Sequence, residues 1–359
     1  MVGSDLAIER VAVVGAGRMG HGIALVYALD GREVALYDAD PDALAAAPER
    51  VETALATMVE AGAIDRAAAD AALANLRTES TLAAAVADVD FVTEAVAEDL
   101  AVKRSVFAGL ADHAPADALL ATNTSGLSIA DIARDVADAS RVLGTHWFNP
   151  PHIVPLVEVV KGPETTDAAA ERTRALLDAA EKTPVVLERE LPGFIGNRIQ
   201  AAMTYEAYAL LARGVASAAD IDRAVKAGFG FRLPVMGIFE KVDQSGLDVH
   251  HEVEKSLMPD LDRGTDPNPV VTELVERGET GWEAGRGVYD WTGVDRATAE
   301  RERDRALLAL RSVYEDADAG SAPPENDTPG TRQGTDADGE QSPTLLRAPA
   351  AVPVCPRQT

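Results

Sequence analysis

The 359-residue sequence predicts an α/β amino-terminal domain followed by an all-α carboxy-terminal domain. Two observations predict this fold class. In the first half of the chain, short β-branched runs alternate with longer alanine-rich helical segments, a pattern typical of a parallel sheet covered by helices. From Gly193 onward the apolar residues recur at helical spacing, and no strand of comparable clarity interrupts them. The length is ample for two domains with buried cores.

The first predicted strand, residues 10–14, is followed by a glycine-rich turn, Gly15-Ala16-Gly17-Arg18-Met19-Gly20, and then by a helix. In this G-x-G-x-x-G pattern the first glycine permits a tight turn, the second lets a pyrophosphate approach the backbone, and the third allows close helix packing. The phosphates would lie at the helix N-terminus, where free N–H groups and the dipole favour anions. We therefore predict a dinucleotide site that includes Gly15, Gly17, Met19 and Gly20.

The second predicted strand, residues 33–38, ends in an acidic residue, Asp38. At this distance from the glycines, its carboxylate would accept hydrogen bonds from the adenosine ribose and would repel a 2′-phosphate. Ala39 and Asp40 supply no cation that could reverse this preference. The segment predicts NAD rather than NADP as the cofactor.

Polar residues follow two later predicted strands, residues 90–96 and 118–122, at the point where each strand ends. Open α/β sheets bind ligands outside the carboxyl ends of their strands. Taken singly, such residues are typical of a solvated helix start or an ordinary turn. Their shared placement indicates one rim of the sheet, which carries Glu98, Lys103, Asn123 and Ser125.

Two further predicted strands, residues 141–147 and 154–160, are separated by a proline-rich turn that can bring them side by side. One carries His146 and the other Glu158. Histidine can take a proton from an alcohol, and a carboxylate on its other ring nitrogen would fix the tautomer and stabilise the imidazolium. The same spacing is equally compatible with a buried histidine that is satisfied by a structural acid.

We assign residues 1–188 to the amino-terminal domain and residues 189–293 to the helical domain. The helical domain is predicted to contain helices over residues 194–211, 217–227, 237–257 and 269–277. Residues 294–316 form a heavily charged helix, expected to be a surface appendage. Residues 317–359 are rich in Pro, Gly and Asp, which predicts a disordered tail.

Composition restricts the partners and the compartment. The net charge of -26 argues against a nucleic-acid partner, and an acid excess with few lysines fits a halophilic-like protein kept soluble in a salt-rich cytoplasm. The only cysteine, Cys355, excludes an intrachain disulfide and a Cys-rich metal site, and we predict no metal. No apolar run approaches the ~18 residues that span a bilayer. We expect a cytoplasmic protein that does not associate with membranes.

Five motifs, in order and spacing, resemble the L-3-hydroxyacyl-CoA dehydrogenase family over residues 8–292. They are Gly15-x-Gly17-x-Met19-Gly20, Asn123-Thr124-Ser125, His146-x-Phe148-Asn149-Pro150, Leu156-Val157-Glu158-Val159 and Pro192-Gly193-Phe194-x-x-Asn197-Arg198. The resemblance implies a Rossmann-type NAD-binding domain followed by a helical domain through which two subunits form a homodimer.

The resemblance also implies the roles of the site residues. His146 would be the catalytic base and Glu158 its orienting partner, while Ser125 would bond the substrate oxygen. Asn197 would help to hold the acyl group, and Asn149 would support the histidine loop. The cofactor-binding residues implied near the nicotinamide are Glu98 and Lys103.

The implied reaction is NAD-dependent oxidation of an L-3-hydroxyacyl-CoA to the 3-ketoacyl-CoA, as in fatty-acid beta-oxidation or short-chain acyl-CoA metabolism. An alternative is a free small 3-hydroxy acid such as L-gulonate, because Arg232 and the doubled Pro150-Pro151 resemble lambda-crystallin type gulonate dehydrogenases. Arg232 would then clamp the substrate carboxylate, or it is a solvated loop arginine. A third hypothesis is a non-catalytic NAD-binding scaffold, against which the intact set of site residues argues.

Overall fold

A computed structural model describes residues 8–318 of the chain, so most of the predicted tail lies outside the described residues. The fold is organised on an eight-stranded sheet with the order β3-β2-β1-β4-β5-β6-β7-β8. Its strands are β1 (Arg10–Val14), β2 (Glu33–Tyr37), β3 (Leu76–Thr78), β4 (Phe91–Glu94), β5 (Leu119–Thr122), β6 (Val142–Trp147), β7 (Leu156–Lys161) and β8 (Thr183–Leu187).

Strands β1 to β6 are parallel to their neighbours, and β7 runs antiparallel to β6. The proline-rich connection between β6 and β7 has eight residues, 148–155, too few for the helical crossover that a parallel neighbour requires. The register therefore places His146 directly opposite Glu158.

Helices cover both faces of the sheet. They are α1 (Gly20–Leu29), α2 (Pro41–Glu60), α3 (Arg66–Asn75), α4 (Leu82–Val86), α5 (Leu100–His113), α6 (Ile129–Ile132) and α7 (Asp167–Ala179). Alternate residues of β1 enter two separate cores: Val11 and Val13 pack with α1 and α2, whereas Ala12 and Val14 pack with α5 and α6. This alternation explains why the buried strands are almost continuously apolar.

The second half is helical, with α8 (Gly196–Ala212), α9 (Ala218–Ala227), α10 (Ile238–Ser245), α11 (Leu247–Leu257) and α12 (Pro269–Glu276). The prediction of one helix over residues 237–257 is wrong, because Gly246 has a φ of 91° and separates α10 from α11. Sequence reasoning does not predict the short β3 and α4, and α6 ends at Ile132 and continues as a single 3₁₀ turn.

The charged helix, α13 (Arg296–Asp318), lies against α2. Its Leu308 is buried in the core shared by α1 and α2. The hydroxyl of its Tyr314 hydrogen-bonds the Thr183 hydroxyl at 3.0 Å. Within residues 8–318, no helix is both long and apolar enough to cross a membrane.

Candidate active site

The glycine-rich turn adopts the geometry that its three glycines predict. Gly15 has a φ of 108°, and a Cβ on it would lie 2.5 Å from the carbonyl oxygen of Ala95. A Cβ on Gly20 would collide with the backbone of Gly15 at 1.6 Å. By contrast, a Cβ built on Gly17 would have no described heavy atom within 4 Å beyond Gly17 and its two chain neighbours. The turn is therefore closed on the protein side and open where a pyrophosphate would bind.

The N-terminus of α1 offers further support for an anion. Its N-cap, Met19, provides no side-chain hydrogen bond, and the first turn contains no acidic residue. The first N–H groups of α1 are thus free of a side-chain cap and can donate to a phosphate. These features fit the pyrophosphate of NAD.

Asp38 connects the end of β2 to the glycine-rich turn. One carboxylate oxygen accepts a hydrogen bond from the Ala16 N–H at 2.6 Å, and the other accepts from the Asp40 N–H at 2.9 Å. Because each carboxylate oxygen has a further lone pair, the half-buried Asp38 can still accept from a ribose diol.

His146 and Glu158 form a buried pair across β6 and β7. The Nδ1 of His146 donates to Oε2 of Glu158 at 2.6 Å. The other oxygen, Oε1, accepts from the N–H groups of Ile195 and Gly196 at 2.8 and 2.9 Å, where α8 begins. The Glu158 carboxylate thus connects β6 and β7 of the first half to the first turn of α8 in the second.

These contacts determine the protonation of the pair. Burial alone would raise the pKa of Glu158, but the hydrogen bonds from His146, Gly196 and Ile195 outweigh it and lower this pKa below the ordinary value. An ionised acceptor at Nδ1 keeps the proton on that nitrogen. Nε2 of His146 makes no hydrogen bond to the described part of the chain, so it is the nitrogen that can accept a substrate proton.

Two aromatic rings hold the imidazole. The centroid of Phe148 lies 4.5 Å from that of His146, and the centroid of Phe194 lies 5.6 Å from it. Phe194 and the preceding Gly193 both have positive φ, 49° and 76°, which turns the chain into α8. A Cβ on Gly196 would lie 2.6 Å from the Phe148 ring. Sequence reasoning missed these contacts, although Pro192-Gly193 before a helical segment indicates a helix start.

Ser125 lies exposed at the same rim and is held by Glu98. The Oε1 of Glu98 accepts from the Ser125 N–H at 2.7 Å, from the Ser125 hydroxyl at 3.0 Å and from the Thr124 hydroxyl at 2.7 Å. Partial burial would raise the pKa of Glu98, but these hydrogen bonds and the nearby Lys103 lower it. Glu98 is therefore an anion that positions the serine.

Lys103 lies buried at the rim of the sheet, and its role near the nicotinamide stays a prediction. Its side chain is 0% exposed, because Nζ donates to Glu94 at 2.8 Å and to the carbonyl oxygen of Asn123 at 2.9 Å. The Asn123 side chain in turn accepts from the Trp147 N–H at 3.1 Å. These hydrogen bonds link the ends of β4, β5 and β6.

The three remaining predicted residues are placed differently. Asn197 is half-buried in the first turn of α8, adjacent to the N–H groups that bind Glu158. Asn149 is exposed at a cis peptide bond to Pro150, three residues after His146. Arg232 is exposed in the loop before α10, beside a pocket of about 240 Å³ that Lys241 and His250 also line. Within residues 8–318 no hydrogen bond joins Arg232 to His146, Ser125 or Asn197.

Comparison with known proteins adds independent findings. The NAD binding domain of 3-hydroxyacyl-CoA dehydrogenase matches residues 10–191, and the C-terminal domain of the same family matches residues 193–291. A 5-formyl-3-hydroxy-2-methylpyridine 4-carboxylate 5-dehydrogenase of Mesorhizobium japonicum is 32% identical over 308 residues, which are 86% of this chain and 99% of the relative. A 3-hydroxyadipyl-CoA dehydrogenase of Escherichia coli is 38% identical over 308 residues, which are 85% of this chain and 62% of the relative.

The structural comparison agrees in extent. A crystal structure of a 5-formyl-3-hydroxy-2-methylpyridine 4-carboxylic acid 5-dehydrogenase, described as an NAD+-dependent dismutase, superposes with a TM-score of 0.81 at 31% identity. The match covers 86% of this chain and 99% of that chain. The similarity therefore extends over both halves of the fold.

Proposed function

This chain belongs to the 3-hydroxyacyl-CoA dehydrogenase family, and on that basis we propose that it oxidises the 3-hydroxyl group of an L-3-hydroxyacyl-CoA to a ketone. It is an NAD-dependent oxidoreductase of that family. The observation that carries the proposal is the buried His146–Glu158 pair, whose Nδ1–Oε2 hydrogen bond of 2.6 Å leaves Nε2 free to act as a base.

In the proposed mechanism, bound NAD would supply the acceptor for the hydride that leaves the hydroxyl-bearing carbon. His146 takes the hydroxyl proton at Nε2 as the carbon–oxygen double bond forms, and the Glu158 carboxylate stabilises the resulting imidazolium. Ser125 bonds the substrate oxygen, and Asn197 holds the acyl group. General-base assistance of this kind contributes about 100-fold to 10,000-fold.

A free hydroxy acid is the second candidate substrate. The Mesorhizobium relative, whose name specifies a pyridine carboxylate, matches over nearly its whole length. In this chain Arg232 and Lys241 line one pocket, and guanidinium and ammonium groups recognise carboxylates. Arg232 would then bind the carboxylate in place of a CoA thioester.

We also propose that two copies pair through their helical halves. Helices α9 to α12 contain no buried residue, whereas Phe231 and Phe239 are 77% and 83% exposed. Apolar surface of this kind is typical of a protein–protein interface.

The function test measures NADH formation from NAD with 3-hydroxybutyryl-CoA or with free 3-hydroxybutyrate, at low and high salt. NADP serves as the cofactor control, because Asp38 should reject the 2′-phosphate. Turnover with the thioester alone supports the acyl-CoA proposal, and turnover with the free acid alone replaces it with the second candidate. Absence of turnover with either substrate at every salt concentration would contradict both.

A further inference from the structure

Lys182 is a buried lysine outside the catalytic pair. It follows α7 and is 6% exposed. Its Nζ donates to the carbonyl oxygen of Pro151 at 2.6 Å and to that of Val154 at 3.1 Å. The same Nζ lies 5.8 Å from the centroid of the Trp147 ring. All three partners belong to one short stretch between His146 and Glu158.

No carboxylate of the described residues pairs with this ammonium within 4.0 Å. A buried charge without a counter-ion is unfavourable. Burial, followed by the proximity of Arg311, lowers the pKa of Lys182 to about 7, while Glu181 and Glu315 act in the opposite direction. An apolar residue would be easier to bury at this position than a lysine. The two hydrogen bonds that only the lysine can donate are therefore the feature to explain.

The connection that Lys182 holds is poor in donors of its own. Pro150, Pro151 and Pro155 have no N–H group. The backbone bonds within it are those from Ile153 and Val154 to the Pro150 carbonyl oxygen. The lysine supplies two additional donors from the position just before β8, so it fixes the connection to the start of β8.

We propose that Lys182 is a positioning residue for the His146–Glu158 pair: by fixing the β6–β7 connection, it keeps the base aligned with substrate and carboxylate. This inference rests on the proposed role of His146 as the base. Lys182 does not touch the reacting atoms. A misplacement of about 1 Å by a residue away from the chemistry can reduce turnover on the order of 100-fold.

A pocket of about 530 Å³ lies beside Lys182, so the role of the lysine can be tested by adding a small amine to a truncated variant. Lys182 lines it together with the buried His152 and with Leu308 of α13. His152 is neutral, because burial, the nearby His21, Lys182 and Arg303 lower its pKa to about 3. The other charged residues of this pocket are Asp30, Glu181, Arg311 and Glu315. Because Lys182 lines this pocket, a small amine can reach the space that truncation of the lysine would leave.

The test uses Lys182→Ala, with Lys161→Ala as the matched control. Lys161 is the last residue of β7, and its Nζ forms ion pairs with Asp167 at 2.7 Å and with Glu188 at 2.6 Å, both of them exposed. We expect Lys182→Ala to lower kcat on the order of 10-fold to 100-fold with little change in the KM for NAD. Ethylammonium should restore part of kcat in Lys182→Ala but not in His146→Gln. Unchanged kcat, or a loss confined to KM and thermal stability that ethylammonium does not reverse, would overturn the proposal.

A second measurement is independent of turnover. The Nδ1 proton of His146 should give a downfield NMR resonance, identified by its loss in Glu158→Gln. We expect this resonance to shift or broaden in Lys182→Met, which keeps the side-chain volume, and to remain in Lys161→Ala. An unchanged resonance in Lys182→Met would refute the positioning role. A wild-type protein that oxidises no tested substrate would contradict the proposed function, and the resonance would still decide the role of Lys182.

Discussion

Replacing His146 with glutamine removes the nitrogen that is free to accept the substrate proton. The amide can still donate toward Glu158, so the pair should lose its basicity more than its packing against Phe148 and Phe194. We expect kcat to fall by at least ~100-fold. The affinity for NAD, measured by titration calorimetry, should not change, because the pyrophosphate is expected at the glycine-rich turn. Turnover that survives the substitution would remove His146 from the mechanism.

The second prediction at the residue scale concerns how the contribution of Glu158 to folding stability depends on pH. A carboxyl with a lowered pKa in the folded state stabilises the protein above its unfolded pKa, near 4.5, and this stabilisation is lost as the pH falls through the lower folded pKa. Glu158→Gln removes the ionised acceptor of three hydrogen bonds, so we expect a loss of about 2 kcal/mol at pH 7. The measurement is denaturant unfolding of both proteins at several pH values.

The difference in free energy of unfolding between wild type and Glu158→Gln should be largest above pH 4.5, where Glu158 is ionised in the folded protein. It should narrow below pH 4.5, where the wild-type carboxyl begins to be protonated in the unfolded chain. A difference that does not depend on pH would mean that the Glu158 charge contributes nothing to folding.

At the scale of elements, two glycines of the same turn should have different roles: Gly15 is needed for folding and Gly17 for NAD binding. Gly15→Ala forces a side chain into positive φ and against the Ala95 carbonyl, so we expect a loss of at least ~2 kcal/mol in stability. Gly17→Ala adds its methyl group to open space, so stability should change by less than ~0.5 kcal/mol. The same methyl group occupies the pyrophosphate position, and NAD affinity should fall by at least ~10-fold.

Thermal unfolding and NAD titration of the two variants test this separation. Equal NAD affinity in Gly17→Ala and wild type would show that no pyrophosphate lies against this turn. Normal stability in Gly15→Ala would show that the turn can relax around a Cβ.

The elements also differ in how far the sequence could predict them. The buried strands were recognisable because each is a short β-branched run bounded by turn residues. The break at Gly246 was not, because an isolated glycine within helical spacing indicates only weakened propensity. Burial of Lys103 depends on Glu94 and the Asn123 carbonyl, which meet only in three dimensions. The N–H groups of α8 that bind Glu158 likewise depend on how the two halves pack.

At the scale of the whole molecule, the two halves bury apolar residues very unequally. Most of α1 is buried, and the described residues of α9 to α12 include none that is buried. Amphipathic helices must bury their apolar faces to be stable. A second copy that covers this surface would supply the missing burial, and folding of the helical half would then be linked to association.

Linkage of this kind makes thermal stability depend on protein concentration. We expect a dimer in sedimentation velocity, and a Tm that rises with concentration. Phe239→Asp should produce monomers and remove the concentration dependence, because the ring is 83% exposed in one copy. Leu310→Asp is the matched control, since Leu310 is 45% exposed on α13, outside the helical half. With a net charge of -26, each copy repels the other, so salt should strengthen the dimer by screening. A monomeric wild type at high salt would contradict the pairing.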